Sequence, residues 1–470
     1  VALYVIAAYV FLVIDNRSPQ STFAWLFLFY ILPLGGMLIY LLFGRGRHAF
    51  SDENKLLKQV IGDELSKPLV PWLLQQDEAI EKLKKESRPA FRKLLELLRR
   101  NSCACLTLYN NLEILQNAQE KYPRLIEDIQ AAQQSIHLEY YEWAADAFTE
   151  ELKQILIDKA MAGVEVRVLF DPVGSFSVIR KRYVGEMNAG GVKMYPFFPL
   201  YKLHTIGYRN HRKIAVIDGR IGYAGGLNMT EAYLKGPAGF TGWRDTHVRL
   251  TGEAVRVLQA TFLTSWYNGT GEKLPGKLYL PPVEETFGYL PVQVVNSGPD
   301  SEWQAIRQLY FFLILAAERH VYIQSPFFIL DESIAEALKA AALSGVEVKV
   351  MLAPRGAEGD LSYRAGRTYA AAMVRAGVQV YYYQGAYFHP KTIMVDSAVC
   401  SIGSANMDIR SFSINYETNL VIYDEVTIRK LENDFLNDLK QCTEFSLAEY
   451  KNSFWVRLGD STTRLFSPLL

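Results

Sequence analysis

Two histidine–lysine pairs are the residues best suited to chemistry. His211 and Lys213 open the phrase His211-Arg-Lys213-Ile-Ala-Val-Ile-Asp218, which is followed by Gly225-Gly226-Leu-Asn228. His389 and Lys391 open His389-Pro-Lys391-Thr-Ile-Met-Val-Asp396, which is followed by Gly403-Ser404-Ala-Asn406. The offset between the copies is constant, since 389 − 211 and 406 − 228 both equal 178. Each copy brings together an imidazole, an ammonium and an amide donor. Two such half-sites facing one another suit an anion with several equatorial oxygens. Lys213, Lys391, Asn228 and Asn406 can bind the non-bridging oxygens of a phosphodiester and stabilise a five-coordinate transition state. One histidine can attack phosphorus while the other protonates the leaving alkoxide from the opposite side. Two lysines supply the positive charge, so this reading requires neither a metal nor a cofactor.

A carboxylate follows each phrase. Trp243-Arg-Asp245-Thr246-His247-Val248 matches Asn415-Tyr-Glu417-Thr418-Asn419-Leu420. A carboxylate bonded to the far nitrogen of a catalytic histidine fixes its tautomer and stabilises the imidazolium. Sequence order assigns Asp245 to His211 and Glu417 to His389. Asp218 and Asp396 end their strands and suit turn capping, which makes them structural rather than reactive. His137, His204, His247 and His320 read as core or surface residues, and His48 as a residue just past the N-terminal apolar region. A single H-x-K-x4-D is a weak signal. Two copies, each with its G-[GS]-x-N and carboxylate–Thr, are a strong one.

The elements that must carry these phrases also repeat. Ile214 to Ile217 and Thr392 to Val395 are short β-type runs, and their period of two puts each His and Lys on one face. Asp218-Gly219 turns the chain back towards Asn228, through small residues that permit close backbone approach. Ser135 to Tyr141 corresponds to His320 to Pro326, and Gly163-Val-Glu-Val-Arg-Val168 to Gly345-Val-Glu-Val-Lys-Val350. Helix-period segments lie between them, at Thr149 to Ala162 and Glu332 to Ser344. Alternating strands and helices at this spacing predict an α/β fold of two pseudo-symmetric domains, each a mostly parallel sheet flanked by helices. The expected divisions are 1–45, 46–100, 101–280 and 281–470, with the domain junction in the stretch Lys277 to Pro291, which includes Pro281-Pro282.

Composition narrows the function classes. With 50 basic and 50 acidic residues the net charge is zero, so no global field draws the chain to nucleic acid. Cys103, Cys105, Cys400 and Cys442 form neither a C-x-x-C metal pattern nor a disulfide framework.

The N-terminus reads as a membrane hairpin. Val1 to Ile14 is uninterrupted apolar sequence covering only about 21 Å as a helix, short of the ~30 Å hydrocarbon core. It is read as the remainder of a transmembrane helix that begins before Val1. Thr22 to Phe43 follows without a charge and is long enough to cross. Arg45, Arg47, Lys55 and Lys58 come after it, against a lone Arg17 in the turn, which places the bulk of the protein in the cytoplasm. Residues 46–100 read as a helical linker. Within it, Ala90 to Arg100 alternates apolar and basic residues at helical spacing; such a helix either lies on the membrane or packs on the globular part.

The paired H-x-K-x4-D phrases resemble the phospholipase D superfamily, and within it the bacterial cardiolipin synthases across nearly the whole chain. Arg17-Ser-Pro19, Pro33-Leu-Gly-Gly36 and Tyr40-Leu-Leu-Phe-Gly44 resemble that family's membrane segment; Asn406-Met-Asp408-Ile-Arg410-Ser411 and Trp243 to His247 resemble its site motifs. The resemblance implies phosphatidyl transfer between two phosphatidylglycerol molecules, giving cardiolipin and glycerol at the bacterial inner membrane. It implies His211 as nucleophile and His389 as acid then base. Tyr140, Tyr141, Phe327, Phe328, Tyr387 and Phe388 are candidates to exclude water, and Arg180 to Arg182, Arg209 and Arg212 to attract anionic headgroups. A homo-oligomer is compatible with the sequence. A phospholipid hydrolase, another phosphatidyltransferase or a nuclease of the superfamily, or a membrane-anchored binding protein, are the rival readings; the intact phrases disfavour the last, and the neutral charge the nuclease.

Overall fold

The computed structural model describes residues 9–10, 12–14, 19–33, 35–36, 39–40, 76–102, 104–180, 182–201, 205, 207–282, 287–357, 359–451 and 453–467. The first half contributes β1 (Leu106–Gln116), β2 (Ser135–Tyr140), β3 (Glu165–Phe170), β4 (Lys193–Pro196), β5 (Lys213–Ile217), β6 (Ile221–Gly225), the short β7 (Trp243–Arg244) and β8 (Thr246–Gly252). The second half opens with β9 (Tyr289–Ser297), β10 (His320–Ser325), the short β11 (Phe328–Ile329), β12 (Glu347–Leu352) and β13 (Gln379–Tyr383). It continues with the short β14 (Tyr387–Phe388), then β15 (Thr392–Val395), β16 (Val399–Gly403), β17 (Met407–Asp408), β18 (Glu417–Ile422) and β19 (Cys442–Glu444).

Local sequence explains these elements. Asp146 and Asp331 accept backbone N–H groups at the starts of the crossover helices Ala147–Met161 and Glu332–Leu343. Gly163 and Gly345, at φ 94° and 95°, turn the chain out of those helices into β3 and β12.

The large strands join into one sheet. From the centre outward its order is β1-β8-β6-β5-β2-β3-β4 in the first half and β9-β18-β16-β15-β10-β12-β13-β19 in the second, and β1 pairs antiparallel with β9 where the halves meet. Position for position the two orders correspond, with β19 added at one edge. Only the outer strands are parallel: β2-β3-β4 and β10-β12-β13. The pairs β2-β5, β5-β6, β6-β8 and β8-β1 are antiparallel, as are their counterparts. The expectation of a mostly parallel sheet in each half is therefore corrected to a mixed sheet. Long helical crossovers make the outer pairs parallel, whereas the tight turns at Asp218 and Asp396 reverse the chain at once.

The core has three main parts. One lies under the first half around Leu138, Val168 and Tyr223, and one under the second around Ile323, Val350 and Ile393. The third is shared: Ile214, Val216, Val248 and Leu250 meet Met394, Ile402, Leu420 and Phe435, so β6 and β8 pack on β16 and β18. The helix Pro89–Ser102 buries Phe91, Leu94 and Leu98 in the second-half core and Leu95 against Leu83 and Leu106.

Near the N-terminus, Leu12, Phe29 and Tyr40 pack together, and Trp25 meets Tyr40 edge-on at 4.9 Å. The helix Pro19–Ile31 is uncharged and, after Thr22, almost wholly apolar, and among the described residues no helix is long and apolar enough to cross a membrane. Val1 to Ala8, Arg17, Arg45, Arg47, His48, Lys55, Lys58, Cys103, Lys181 and His204 lie outside the described residues.

Candidate active site

Both phrases sit in the middle of the molecule, where the halves meet. Lys213 begins β5 and Lys391 immediately precedes β15, so each histidine stands just ahead of its strand. Strand alternation puts His and Lys side by side, and each ammonium donates to the carbonyl of its own histidine, at 2.6 Å in both halves. The strands end in matching turns. Asp218, at φ 53°, accepts the N–H groups of Gln133, Gln134 and Ser135; Asp396, at φ 56°, accepts those of Glu318, Arg319 and His320. Each Asp therefore ties its turn to the start of the neighbouring strand, far from the histidine.

His211, His389, Asn228 and Asn406 converge on one cavity of about 300 Å³. Its wall also includes Tyr141, Glu142, Arg209, Tyr233, Trp243, Phe327, Tyr387, Asp408, Arg410 and Asn415. Asn228 donates to the Tyr233 hydroxyl at 2.8 Å and accepts from the Glu142 N–H at 3.2 Å. The side-chain oxygen of Asn406 is buried and makes no hydrogen bond among the described residues. Lys213 and Lys391 stand behind the histidines, almost wholly buried.

The carboxylates are exchanged between the halves. Glu417 lies 3.0 Å from Nδ1 of His211, and Asp245 lies 2.8 Å from Nδ1 of His389. The sequence-order assignment of Asp245 to His211 and Glu417 to His389 is thus reversed. The backbone gives the reason. Asn210 bridges to Tyr416 and the His211 N–H donates to the Tyr416 carbonyl at 2.9 Å, while β14 runs parallel to β7 and the His389 N–H donates to the Arg244 carbonyl at 2.8 Å. The segment before each histidine pairs with the segment before the other half's carboxylate.

The two supports are built differently. Asp245 has Gly226 against it: a Cβ there would lie 2.0 Å from its Oδ1. Ser404 occupies the equivalent place in the second half, and its hydroxyl donates to Oε2 of the longer Glu417.

Burial governs the electrostatics. It lowers His211 below the ordinary imidazole value, with Glu417 pulling the other way, and takes His389 down to about 3, helped by neighbouring Lys391. It also brings Lys213 to about 7 against the attraction of Glu417, with Lys391 lowering it further. Burial works to raise Glu417, but His211, Lys213 and the Ser404 hydroxyl outweigh it and keep the carboxylate below its usual range. Asp408 is pushed up to about 6, again by burial. The resting site therefore favours neutral imidazoles beside ionised Glu417. With Nδ1 of each ring held by a carboxylate, Nε2 is left for a substrate.

The candidate aromatics divide in adjacent pairs. Tyr141, Phe327 and Tyr387 line the cavity, whereas their neighbours Tyr140, Phe328 and Phe388 are core, as successive residues on an extended chain point to opposite sides. Arg209 lines the cavity and contacts Asp171 at 3.1 Å. Arg212 does not line it: it is buried, bonds Ser265 at 3.0 Å and lies over the Tyr416 ring, which removes it from the residues expected to attract headgroups. Arg182 is exposed. His137 stacks on Phe262, His247 is buried beneath the Gly225–Leu227 turn, and His320 pairs with Glu432. Sequence reasoning missed Tyr233 and Glu142. The signal for Glu142 was its place directly after Tyr141; for Tyr233 none was available, since it reaches Asn228 across a turn.

The fold agrees with that of the phosphatidylserine synthase from Haemophilus influenzae, with a TM-score of 0.59 over 82% of this chain and all of that one at 14% identity. Fold and paired site define a phospholipase D-like protein. A family model described as cardiolipin synthase, PLD-like domain, matches residues 125–240 and 311–439, and one described as phospholipase D-nuclease N-terminal matches residues 2–45. The cardiolipin synthase of Geobacillus thermodenitrificans is 40% identical over 462 residues, covering 97% of this chain and 90% of that protein. Cardiolipin synthase 2 of Bacillus anthracis is 39% identical over 477 residues, covering all of this chain and 90% of that one. The chain belongs to the cardiolipin synthase family.

Proposed function

We propose that this protein is a cardiolipin synthase that moves a phosphatidyl group from one phosphatidylglycerol to a hydroxyl of another and releases glycerol. The observation that carries the site reading is the convergence of His211 and His389 on one cavity, each with Nδ1 held by a carboxylate. In the proposed first step His389 is in its imidazolium form, having taken up a proton as the anionic phosphodiester binds beside it. Nε2 of neutral His211 attacks phosphorus, the bond from phosphorus to the glycerol oxygen breaks, and Nε2 of His389 gives that oxygen its proton. In the second, His389 takes the proton of the incoming lipid hydroxyl, whose oxygen displaces His211 from phosphorus. Lys213, Lys391, Asn228 and Asn406 hold the non-bridging oxygens, and Asp245 and Glu417 stabilise the imidazolium forms. The polarity, with His211 as nucleophile, is taken from the resemblance to the superfamily, because the two half-sites are nearly alike.

Exchange of one phosphodiester for another is close to energy-neutral, so the outcome depends on which hydroxyl reaches the intermediate. Tyr141, Phe327 and Tyr387 in the cavity wall favour a lipid alcohol over water. We further propose that the runs Val1 to Ile14 and Thr22 to Phe43 form a membrane hairpin with the catalytic part in the cytoplasm. The match of residues 2–45 and the packing of Leu12 with Phe29 and Tyr40 support it.

Labelled phosphatidylglycerol supplied to the purified protein in detergent tests the reaction. Cardiolipin and free glycerol are expected; phosphatidic acid as sole product would make the protein a hydrolase. Labelling quenched in alkaline denaturant, in which a phosphorus–nitrogen bond survives, tests the polarity. His211→Ala should give no covalent phosphatidyl-enzyme, and a label that survives there but vanishes in His389→Ala would reverse the roles.

A further inference from the structure

The helix Phe454–Arg464 is mounted with its polarity reversed. Its buried side is polar. Asp460 and Thr463 face inward, Asp460 lies 3.5 Å from Arg367 on the helix Asp360–Val374, and Ser467 just beyond meets the Tyr369 hydroxyl. Its outer side carries Phe454, Trp455 and Leu458, and Leu465 continues the arc past the last turn. Trp455 and Leu465 are 77% and 78% exposed. A surface helix of a globular protein normally turns its apolar stripe inward. Arg457 and Arg464, both exposed, border the arc on one side. An apolar arc edged by basic side chains is the pattern of a helix that lies in the boundary of an anionic bilayer.

The place of this helix in the fold adds a second, independent argument. Gly459 sits against Arg364, so the two helices start side by side, and Asp360–Val374 follows the C-terminal end of β12. That is the end at which the catalytic cavity lies, since Phe327 in its wall comes two residues after β10, the parallel neighbour of β12. In the first half, the matching end of β3 leads into Val173, Phe176 and Ile179, all exposed, and Gly174 in the same segment abuts Tyr141 of the cavity wall. The cavity therefore shares its end of the sheet with two apolar segments, one lip in each half, that present side chains to the outside without lining the cavity themselves. At the opposite end of these strands, Met161 and Leu343 are exposed singly, each at the end of its helix.

We propose that the two lips form a docking face that seats the cavity mouth on an anionic phospholipid bilayer, with Phe454, Trp455 and Leu458 entering the boundary between headgroups and acyl chains. Arg457 and Arg464 supply the charge complementarity. This deepens the proposed function, resting on it for the bilayer as the source of substrate. An N-terminal hairpin would tether the chain; the lips would fix how the catalytic part faces the lipid.

Hydrogen exchange on the full chain tests it in three settings: nanodiscs containing phosphatidylglycerol, nanodiscs of phosphatidylcholine alone, and detergent. Phe454–Arg464 and Val173–Ile179 should exchange about tenfold more slowly in the anionic nanodiscs than in either of the others. Equal exchange in all three, or protection that appears in detergent as protein concentration rises and so marks a second copy of the chain, overturns the proposal. A variant carrying Trp455→Asp and Leu458→Asp should lose about tenfold in turnover of bilayer phosphatidylglycerol and keep its turnover of a short-chain, monomeric form. Unchanged bilayer turnover, or equal loss on both substrates, also overturns it. Failure of the wild-type protein to make cardiolipin from the short-chain lipid would sink the functional reading instead, and the exchange pattern would still decide the docking face.

Discussion

Glu417 and Asp245 each orient a histidine that belongs to the other half, so their effects should couple across the molecule. Glu417→Gln and Asp245→Asn are each expected to lower turnover by about 10²- to 10⁴-fold with little change in lipid binding. A double-mutant cycle should find strong coupling of His211 with Glu417 and near-additivity of His211 with Asp245, which is the reverse of what chain order suggests. Lys213 gives a pH signature. Burial brings its ammonium to about 7, so the charge that holds an anion is present below that pH and lost above it. Binding of inorganic phosphate, followed by calorimetry, should weaken between pH 7 and 8.5 with uptake of a proton. His137 concerns stability. Burial takes it to about 3 in the folded chain, against the ordinary 6.5, so the unfolded chain protonates first and stability falls as pH drops from 6.5 towards 3. His137→Phe should spare about 2 kcal/mol of the acid-induced loss at pH 5, read from denaturant unfolding at pH 7 and pH 5.

At the scale of elements, the turns that close the two phrases carry more stability than chemistry. Asp218→Ala removes the acceptor of three backbone N–H groups of the segment Gln133–Ser135, two of them within reach of water, and should cost about 1–3 kcal/mol in unfolding free energy. Gly226→Ala acts through a different element. The added Cβ would meet Asp245 at 2.0 Å, so turnover should fall towards that of Asp245→Asn. The strands were largely legible, because Ile214 to Ile217 and Val164 to Val168 carry clear β patterns. Their directions were not. Ser135 to Tyr140 has the same apolar character whether its neighbour runs parallel to it, as β3 does, or antiparallel, as β5 does. The helix Pro89–Ser102 was legible as a helix and left two destinations open, since Phe91, Leu94 and Leu98 suit a core or a membrane equally. The reversed mounting of Phe454–Arg464 was invisible, because amphipathicity does not say which face turns inward.

For the whole molecule, the paired site depends on both halves at once. The first half holds a complete His211, Lys213 and Asn228, yet the partner of its histidine is Glu417, and its β6 and β8 are covered by β16 and β18. A first half expressed alone should give no covalent labelling with phosphatidylglycerol, and expression of both halves together should restore some; labelling by the isolated half would show that Glu417 is dispensable. The six His, Lys and Asn residues were legible because the same phrase occurs twice at one offset. The exchange of carboxylates was not, for a repeat at constant offset is equally consistent with pairing inside each half or across them.

That exchange has a consequence for how such a chain can change. Two identical halves meeting about a twofold would have to carry every alteration twice, and the two ends of a support would have to alter together. Joined in one chain, they can drift apart in matched steps. A glycine beside the shorter acid at Asp245, and a serine hydroxyl beside the longer one at Glu417, is the form such a step takes. The histidine it serves lies in the opposite half, so a variant chain that inherited one half from a relative would combine an acid and an imidazole with no history of fitting each other.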